Sequence, residues 1–113
     1  MFAQRVRTKR LIVPFVAVAA AGSQQSDAAA LPWNAIVSGA DGTKGVILPA
    51  PQSGLVVEVY NLHASNGLKI YPHSGGDIND GTQNAAITIE GKTLAKFIAL
   101  DTTTWAAIYT TNT

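Results

Sequence analysis

Residues 55–62 have the sequence Leu-Val-Val-Glu-Val-Tyr-Asn-Leu, and in an extended chain their side chains alternate between two faces. One face carries Leu55, Val57 and Val59. The other face carries Val56, Glu58, Tyr60 and Leu62. Both faces are therefore mostly apolar, which is typical of a central strand. We predict a central β-strand here.

Short runs of β-branched and aromatic residues continue around this strand, separated by Gly, Pro, Asn and Asp. The pattern predicts an all-β protein. Seven strands are expected, at Ala35 to Ser38, Gly45 to Leu48, Leu55 to Leu62, Leu68 to Tyr71, Ala85 to Glu90, Thr93 to Leu100 and Thr104 to Tyr109. The predicted architecture is an antiparallel, jelly-roll-like β-sandwich over residues 33–113, preceded by an extended N-terminal arm over residues 1–32.

Two turns suggest how the strands are connected. Asn66-Gly67 tolerates the positive φ angles of a type I′ turn, which predicts a hairpin between the strand ending at Leu62 and the strand beginning at Leu68. A second turn, at residues 90–93, joins the next two strands, and a meander or Greek key is expected.

The charge of the chain is divided unevenly along its length. The first ten residues, MFAQRVRTKR, contain four of the eight basic residues, whereas from Asp27 onward seven acids outnumber four lysines, a net charge of −3. Such a division predicts that the basic end binds a partner outside its own fold. The predicted docking residues are Arg5, Arg7, Lys9, Arg10, Leu11, Ile12, Val13, Phe15 and Val16. The alternative is that this segment folds back on its own body.

The size and composition limit the classes of protein. A chain of 113 residues suits one domain, and the absence of cysteine excludes disulfides and thiolate chemistry. The apolar run from Leu11 to Ala21 resembles a secretory signal peptide, although Pro14 interrupts it. As a helix this run is too short for a bilayer with a core of ~30 Å, so no membrane partner is expected.

No motif of an enzyme or metal site is complete. The segment beginning at Asp77 lacks the ligands of a calcium loop at its fifth and twelfth positions and the glycine at its sixth, so its polar side chains are predicted to cap the loop's own backbone. His63 and His73 have no third ligand at a recognisable spacing, and Ser74 is not in a nucleophile elbow. We predict no enzymatic activity, no cofactor and no small-molecule substrate.

Six aromatic residues in and near the strands are predicted to pack in the core or between subunits. They are Trp33, Tyr60, Tyr71, Phe97, Trp105 and Tyr109. A nucleic-acid platform would need basic residues interleaved with them, whereas the body is net acidic. Nucleic acid is therefore not an expected partner.

Several segments of the second half resemble a β-domain module of small structural proteins from tailed bacteriophages, including capsid cement or decoration proteins. These segments are Val59-Tyr-Asn61, Leu68-Lys-Ile-Tyr-Pro72, Gly75-Gly-Asp-Ile-Asn-Asp-Gly81, Asn84-Ala85, Phe97 and Thr104-Trp105. The resemblance covers residues 55–109 and implies a β-sandwich that forms trimers on the outside of a head shell. It does not extend to the first 54 residues, whose docking role is inferred from their charge.

The expected function is therefore that of a capsid cement protein on the outer surface of the virion. Its expected partners are the major capsid protein and further copies of itself, in a homotrimer. One alternative is a fibre or tip module that binds a receptor or carbohydrate through the loop from His73 to Gly81. Another is a secreted β-sandwich binding protein or hydrolase that begins with a signal peptide.

Overall fold

A computed structural model describes residues 13–109, and in this range the chain is mostly β-strand. Its strands are β1 Val16–Ala19, β2 Ala29–Ala30, β3 Ala35–Ser38, β4 Gly45–Ile47, β5 Val56–Asn61, β6 Leu68–Tyr71, β7 Asp77–Ile78, β8 Ile87–Ile89, β9 Leu94–Ala99 and β10 Thr104–Tyr109. One 3₁₀ turn, Gln25–Asp27, precedes β2. The predicted all-β class is confirmed. All seven predicted strands are present, three of them with the predicted bounds.

The strands form a six-stranded sheet, in the order β1-β3-β5-β9-β10-β7, and a four-stranded sheet, in the order β2-β4-β6-β8. From β1 to β6 the chain alternates between the two sheets, so each strand pairs with the one two places along the chain. These pairs are parallel. The intervening strand lies in the other sheet, so the chain returns to the first sheet and runs through it again in the same direction. The prediction that β5 is an interior strand is confirmed, since it lies between β3 and β9.

The predicted antiparallel pairing is wrong for most of the described strands. Within residues 13–109, β5–β9, β6–β8 and β9–β10 are antiparallel, whereas five other pairs are parallel. Both sheets are therefore mixed. The alternation of apolar residues has the same period of two in both kinds of sheet, so it does not report strand direction.

The predicted hairpin at Asn66-Gly67 is also wrong, because β5 and β6 belong to different sheets. Other contacts fix this connection. The Nδ1 atom of His63 accepts hydrogen bonds from the N–H groups of Ser65 and Asn66, at 3.1 and 2.9 Å. The side-chain amide of Asn66 donates to the carbonyl of Ala40 at 3.2 Å. The loop thus crosses from one sheet to the other instead of reversing within a sheet.

The inward residues of both sheets form one apolar cluster. Val57 and Val59 of β5 are buried, as the alternation predicts, while Leu55 lies before the strand and is 37% exposed. The largest core side chains are those of Trp105 and Phe97, both fully buried. This arrangement leaves the opposite face of the six-stranded sheet turned away from the core.

The described part of the predicted arm belongs to the body. Strand β1 pairs with β3, strand β2 pairs with β4, and Ala20 and Leu31 are buried in the core cluster. The body therefore begins at about Val16 and not at residue 33. Apolar residues of this stretch, such as Ala20 and Leu31, are buried in their own protomer. Backbone pairing with β3 and β4 satisfies the hydrogen-bonding groups that this burial removes from water.

Two aspartates hold loops by the same local motif. Oδ1 of Asp41 accepts hydrogen bonds from the N–H and Oγ1 of Thr43, at 2.9 and 2.7 Å, and from the N–H of Lys44 at 3.0 Å. Asp101 does the same for Thr103 and Thr104. These hydrogen bonds lower the pKa of Asp101, and those to Thr43 and Lys44 lower the pKa of Asp41 to about 2.

We expect Asp41 to titrate at about pH 2, below the ordinary pKa of 3.8. Because the folded-state pKa is lowered, the motif contributes its full stability above pH 3.8 and loses it as the pH falls through about 2. NMR titration of the side-chain carboxyl carbons measures this. Thr43→Val should raise the pKa of Asp41 and leave Asp101 unchanged as the internal control. A midpoint of Asp41 at or above 3.8 in the wild type would contradict the assignment.

Candidate interaction surface

The outer face of the six-stranded sheet is apolar where a solvated face would be polar. Its outward apolar residues define what we call the apolar face: Ile36 of β3, Val56 and Tyr60 of β5, Leu94 and Ile98 of β9 and Ile108 of β10. Ile108 is 64% exposed and Leu94 is 48% exposed. Exposed apolar residues gathered on one face are typical of an interaction site.

A shallow groove lies at one side of the apolar face. The strand register places Tyr60 beside Ile36 on one side and Leu94 on the other. Phe15, just before β1, completes the groove, which has a volume of about 230 Å³ and is lined by Phe15, Ile36, Tyr60 and Leu94. Four segments distant in sequence thus form one concave apolar site.

One acid and one base lie together in the middle of the apolar face. Glu58 and Lys96 are directly opposed on β5 and β9, and Lys96 is opposed to Ile108 on β10. The backbone N–H of Glu58 donates to Oδ1 of Asn34 at 2.8 Å, which links β5 to the segment just before β3. The pair makes the centre of the face polar yet electrically neutral.

The two edges of the six-stranded sheet differ. At β1, the N–H groups of Val16 and Ala20 donate to carbonyls of Asn34 and Ser38, so the backbone of Ala17 and Ala19 points away from β3. At the other edge, the side-chain amide of Asn79 accepts from the N–H of Ala107 at 2.9 Å and donates to its carbonyl at 3.5 Å. Asn79 therefore extends the ladder where β7 ends, whereas the β1 edge is apolar and uncharged.

The structure separates the predicted docking residues. Val16 lies in β1, Phe15 lines the groove, and Val13 is 48% exposed. The remaining predicted docking residues lie outside the described range: Arg5, Arg7, Lys9, Arg10, Leu11 and Ile12.

The six predicted aromatic residues fall into different environments. Phe97 and Trp105 are core residues, and Tyr71 is buried with its hydroxyl donating to the carbonyl of Ser23 at 3.3 Å. Tyr60 lies in the groove and Tyr109 packs against the edge of the core. Trp33 is 47% exposed. Core packing is thus the finding for three, and Tyr60 alone joins the candidate surface.

Sequence reasoning missed Ile36, Leu94 and Ile108 as surface residues. The signal was present, because the strands at Ala35–Ser38, Leu94–Ala99 and Thr104–Tyr109 each place an apolar side chain on both faces.

The polar residues of the loops make structural hydrogen bonds. Asp77 accepts from Oγ1 of Thr104 at 3.0 Å, and Oδ1 of Asn84 accepts from the N–H of Gly75 at 2.7 Å. Within residues 13–109 no group of three or more His, Asp or Glu side chains is placed to hold a metal ion. In the same range no helix is long and apolar enough to cross a membrane.

Comparisons of the chain with protein-family models, curated protein sequences and solved structures gave no match. The apolar face, its groove and the β1 edge are therefore the basis on which a function can be argued.

Proposed function

We propose that this protein is a non-enzymatic capsid cement or decoration protein that binds the outside of a phage head shell and stabilises it. The proposal unites the resemblance of residues 55–109 with the surface features of the body. Its expected partner is the major capsid protein, and the place of action is the outer surface of the virion. It needs no cofactor and no substrate.

One observation carries the proposal. The basic N-terminal segment carries four cations followed directly by Leu11, Ile12 and Val13, and it joins the body beside the uncharged β1 edge. A binding surface that combines cations with adjacent apolar area suits an acidic protein surface that also buries apolar groups. In this proposal residues 1–15 are the docking arm, and the two sheets of the body pack as a β-sandwich. A jelly-roll order is not retained, because jelly rolls have antiparallel neighbours.

Because many copies bind the shell, a modest binding free energy per copy is sufficient for attachment. Exposed ion pairs contribute ~0.2–1 kcal/mol each, so four cations add roughly 1–4 kcal/mol per copy. A homotrimer docked at three equivalent positions would multiply this by avidity. The same reasoning predicts weaker attachment at high salt, because exposed charges are screened.

We expect the quadruple variant of Arg5, Arg7, Lys9 and Arg10 to Gln to bind expanded empty heads of the encoding phage at least ~10-fold more weakly than the wild type. Heads without decoration protein are mixed with each variant, and occupancy is measured after sedimentation. Resistance of the heads to heat rupture should fall in parallel.

The control is the triple variant of Lys44, Lys69 and Lys92 to Gln, which removes cations from the body. It should retain wild-type occupancy. If wild-type protein leaves heads unoccupied and instead binds host cells or glycans through residues 73–81, the fibre-module alternative replaces this proposal.

A further inference from the structure

We propose that the apolar face is the contact between copies of this chain, and that Ile108 of one copy occupies the groove at Phe15 and Ile36 of the next. The inference deepens the proposed function, on which its three-fold symmetry rests. The surface itself is inferred from the strand register and the charges of the described residues.

The register places Phe15, at the wall of the groove, and Ile108 at the same level along the strands. Val16 pairs with Ala35 and Ala35 pairs with Val59, so Phe15 and Glu58 lie in one row across the sheet. Glu58 is opposed to Lys96, and Lys96 is opposed to Ile108. The row therefore begins with the wall of the groove at Phe15 and ends with the most exposed side chain of the face, Ile108.

If the copies are related by a rotation axis parallel to the strands, each residue lies at the same height along the axis in every copy. The Ile108 end of one copy then meets the Phe15 end of its neighbour at the same height. This is a heterologous contact, which closes into a ring if the rotation is 120°. An exposed isoleucine is matched with an apolar groove of about 230 Å³.

The size of the sheet agrees with three copies. The row from β1 to β10 spans ~19 Å, because neighbouring strands lie ~4.8 Å apart. Three such faces around an axis place each sheet about 5.5 Å from it, close to the ~5 Å half-spacing of packed sheets. Side chains of the size of Tyr60 and Leu94 would fill that space.

The charges agree with self-association. Glu58 and Lys96 are neighbours at the middle of the face, so a closed ring brings three acids and three bases to the axis in alternation. Each Lys96 would lie between the Glu58 of its own copy and that of the next. Buried charges need such partners, and a surface that carries one of each sign supplies them to its own copies.

Engineered cross-links test the geometry, because the chain contains no cysteine. In one protomer, Phe15 and Ile108 are separated by four strand spacings, ~19 Å, whereas a disulfide requires Cα atoms within ~7 Å. We expect the double variant Phe15→Cys and Ile108→Cys, oxidised in the purified full chain, to give covalent trimers on denaturing gels. Each single variant, treated in the same way, should give none.

A second variant tests the contact without a cross-link. Ile108→Lys should convert the trimer to a folded monomer at about 10 μM in sedimentation. Thr88→Lys is the control, since Thr88 is exposed in the middle of β8 on the four-stranded sheet. It should leave the trimer intact, and circular dichroism confirms that both variants fold.

Covalent trimers in the double variant together with monomeric Ile108→Lys support the proposal. A monomeric wild type, a covalent dimer without trimer, or an Ile108→Lys trimer would overturn it. The outcome is separable from that of the proposed function. A monomer that still occupies heads refutes the contact alone, and a face-linked trimer that ignores heads refutes the capsid role alone.

Discussion

Replacing Trp105 with alanine lowers the free energy of unfolding by about 3–5 kcal/mol, the cost of removing a large buried aromatic side chain. Trp105 is fully buried and belongs to the core cluster. It lies on β10 opposite Ala99 of β9 and Ile78 of β7, so the cavity would open where three strands meet. Small domains are stable by only ~5–15 kcal/mol, and this loss is a large part of that margin.

Thermal unfolding measures the effect, and the apparent Tm should fall by at least ~15 °C. Trp33→Ala is the matched control, because Trp33 is 47% exposed, and it should change the free energy of unfolding by less than ~0.5 kcal/mol. A Tm within a few degrees of the wild type for Trp105→Ala would show that Trp105 is not the centre of the core.

The variant Trp105→Phe distinguishes the effect of the lost side-chain volume on stability from the effect of the buried indole N–H. The indole Nε1 of Trp105 is buried and has no hydrogen-bond partner within residues 13–109. A buried donor without a partner costs ~1–3 kcal/mol, so removing it offsets part of the lost packing. We expect Trp105→Phe to be less destabilising than Trp105→Ala by at least ~1.5 kcal/mol.

Replacing Asn61 with alanine is expected to cost about 3 kcal/mol, because it removes several hydrogen bonds from a fully buried site. The Nδ2 atom of Asn61 donates to the carbonyl of Asn66 at 2.8 Å and to those of Ile89 and Glu90 at 3.3 and 3.2 Å. Its Oδ1 atom accepts from the N–H of His63 at 3.1 Å. One amide thus joins the loop after β5 to the end of β8.

These two loops are in close contact. A Cβ atom at Gly91 would lie 2.6 Å from the backbone nitrogen of Ser65 and 2.7 Å from the carbonyl oxygen of His63. Asn61→Ala would remove the side-chain donor of the Asn66 and Ile89 carbonyls at this crowded contact. The connection between the two sheets should loosen first.

Chemical denaturation measures the stability of Asn61→Ala, and amide hydrogen exchange of residues 62–67 reports the local loosening. Gln83→Ala is the control, since Gln83 is exposed and its Nε2 atom also donates to a backbone carbonyl, that of Gly75, at 2.9 Å. It should cost less than ~0.5 kcal/mol. Equal losses of unfolding free energy for the two variants would contradict the conclusion that burial makes the hydrogen bonds of Asn61 stabilising.

The pattern of apolar residues predicted most of the strands because alternation is a local property. It located Ala35–Ser38, Leu68–Tyr71 and Thr104–Tyr109 with their observed bounds. It missed β1, β2 and β7, since strands of two to four residues, built in part from alanine, give little signal. The buried role of Asn61 was also missed, because a polar residue inside an apolar strand does not by itself indicate a buried side chain.

The candidate surface could be predicted only in part. Phe15 and Tyr60 were singled out for separate reasons, as a docking residue and as a packing aromatic, and the register of four strands brings them into one groove. The position of Ile108 in the same row as Glu58 and Lys96 depends on the register in which β5 pairs with β9 and β9 pairs with β10.

The amino-acid sequence by itself determined that this protein is built from strands, that β5 is buried on its inner face and central, and that positive charge is concentrated at the N-terminal end. Tertiary structure decided which strands pair, in which direction, and that residues 16–31 complete the two sheets. The physical reason is that strand propensity acts between neighbouring residues, whereas hydrogen-bond partners and a shared core are chosen across the whole chain.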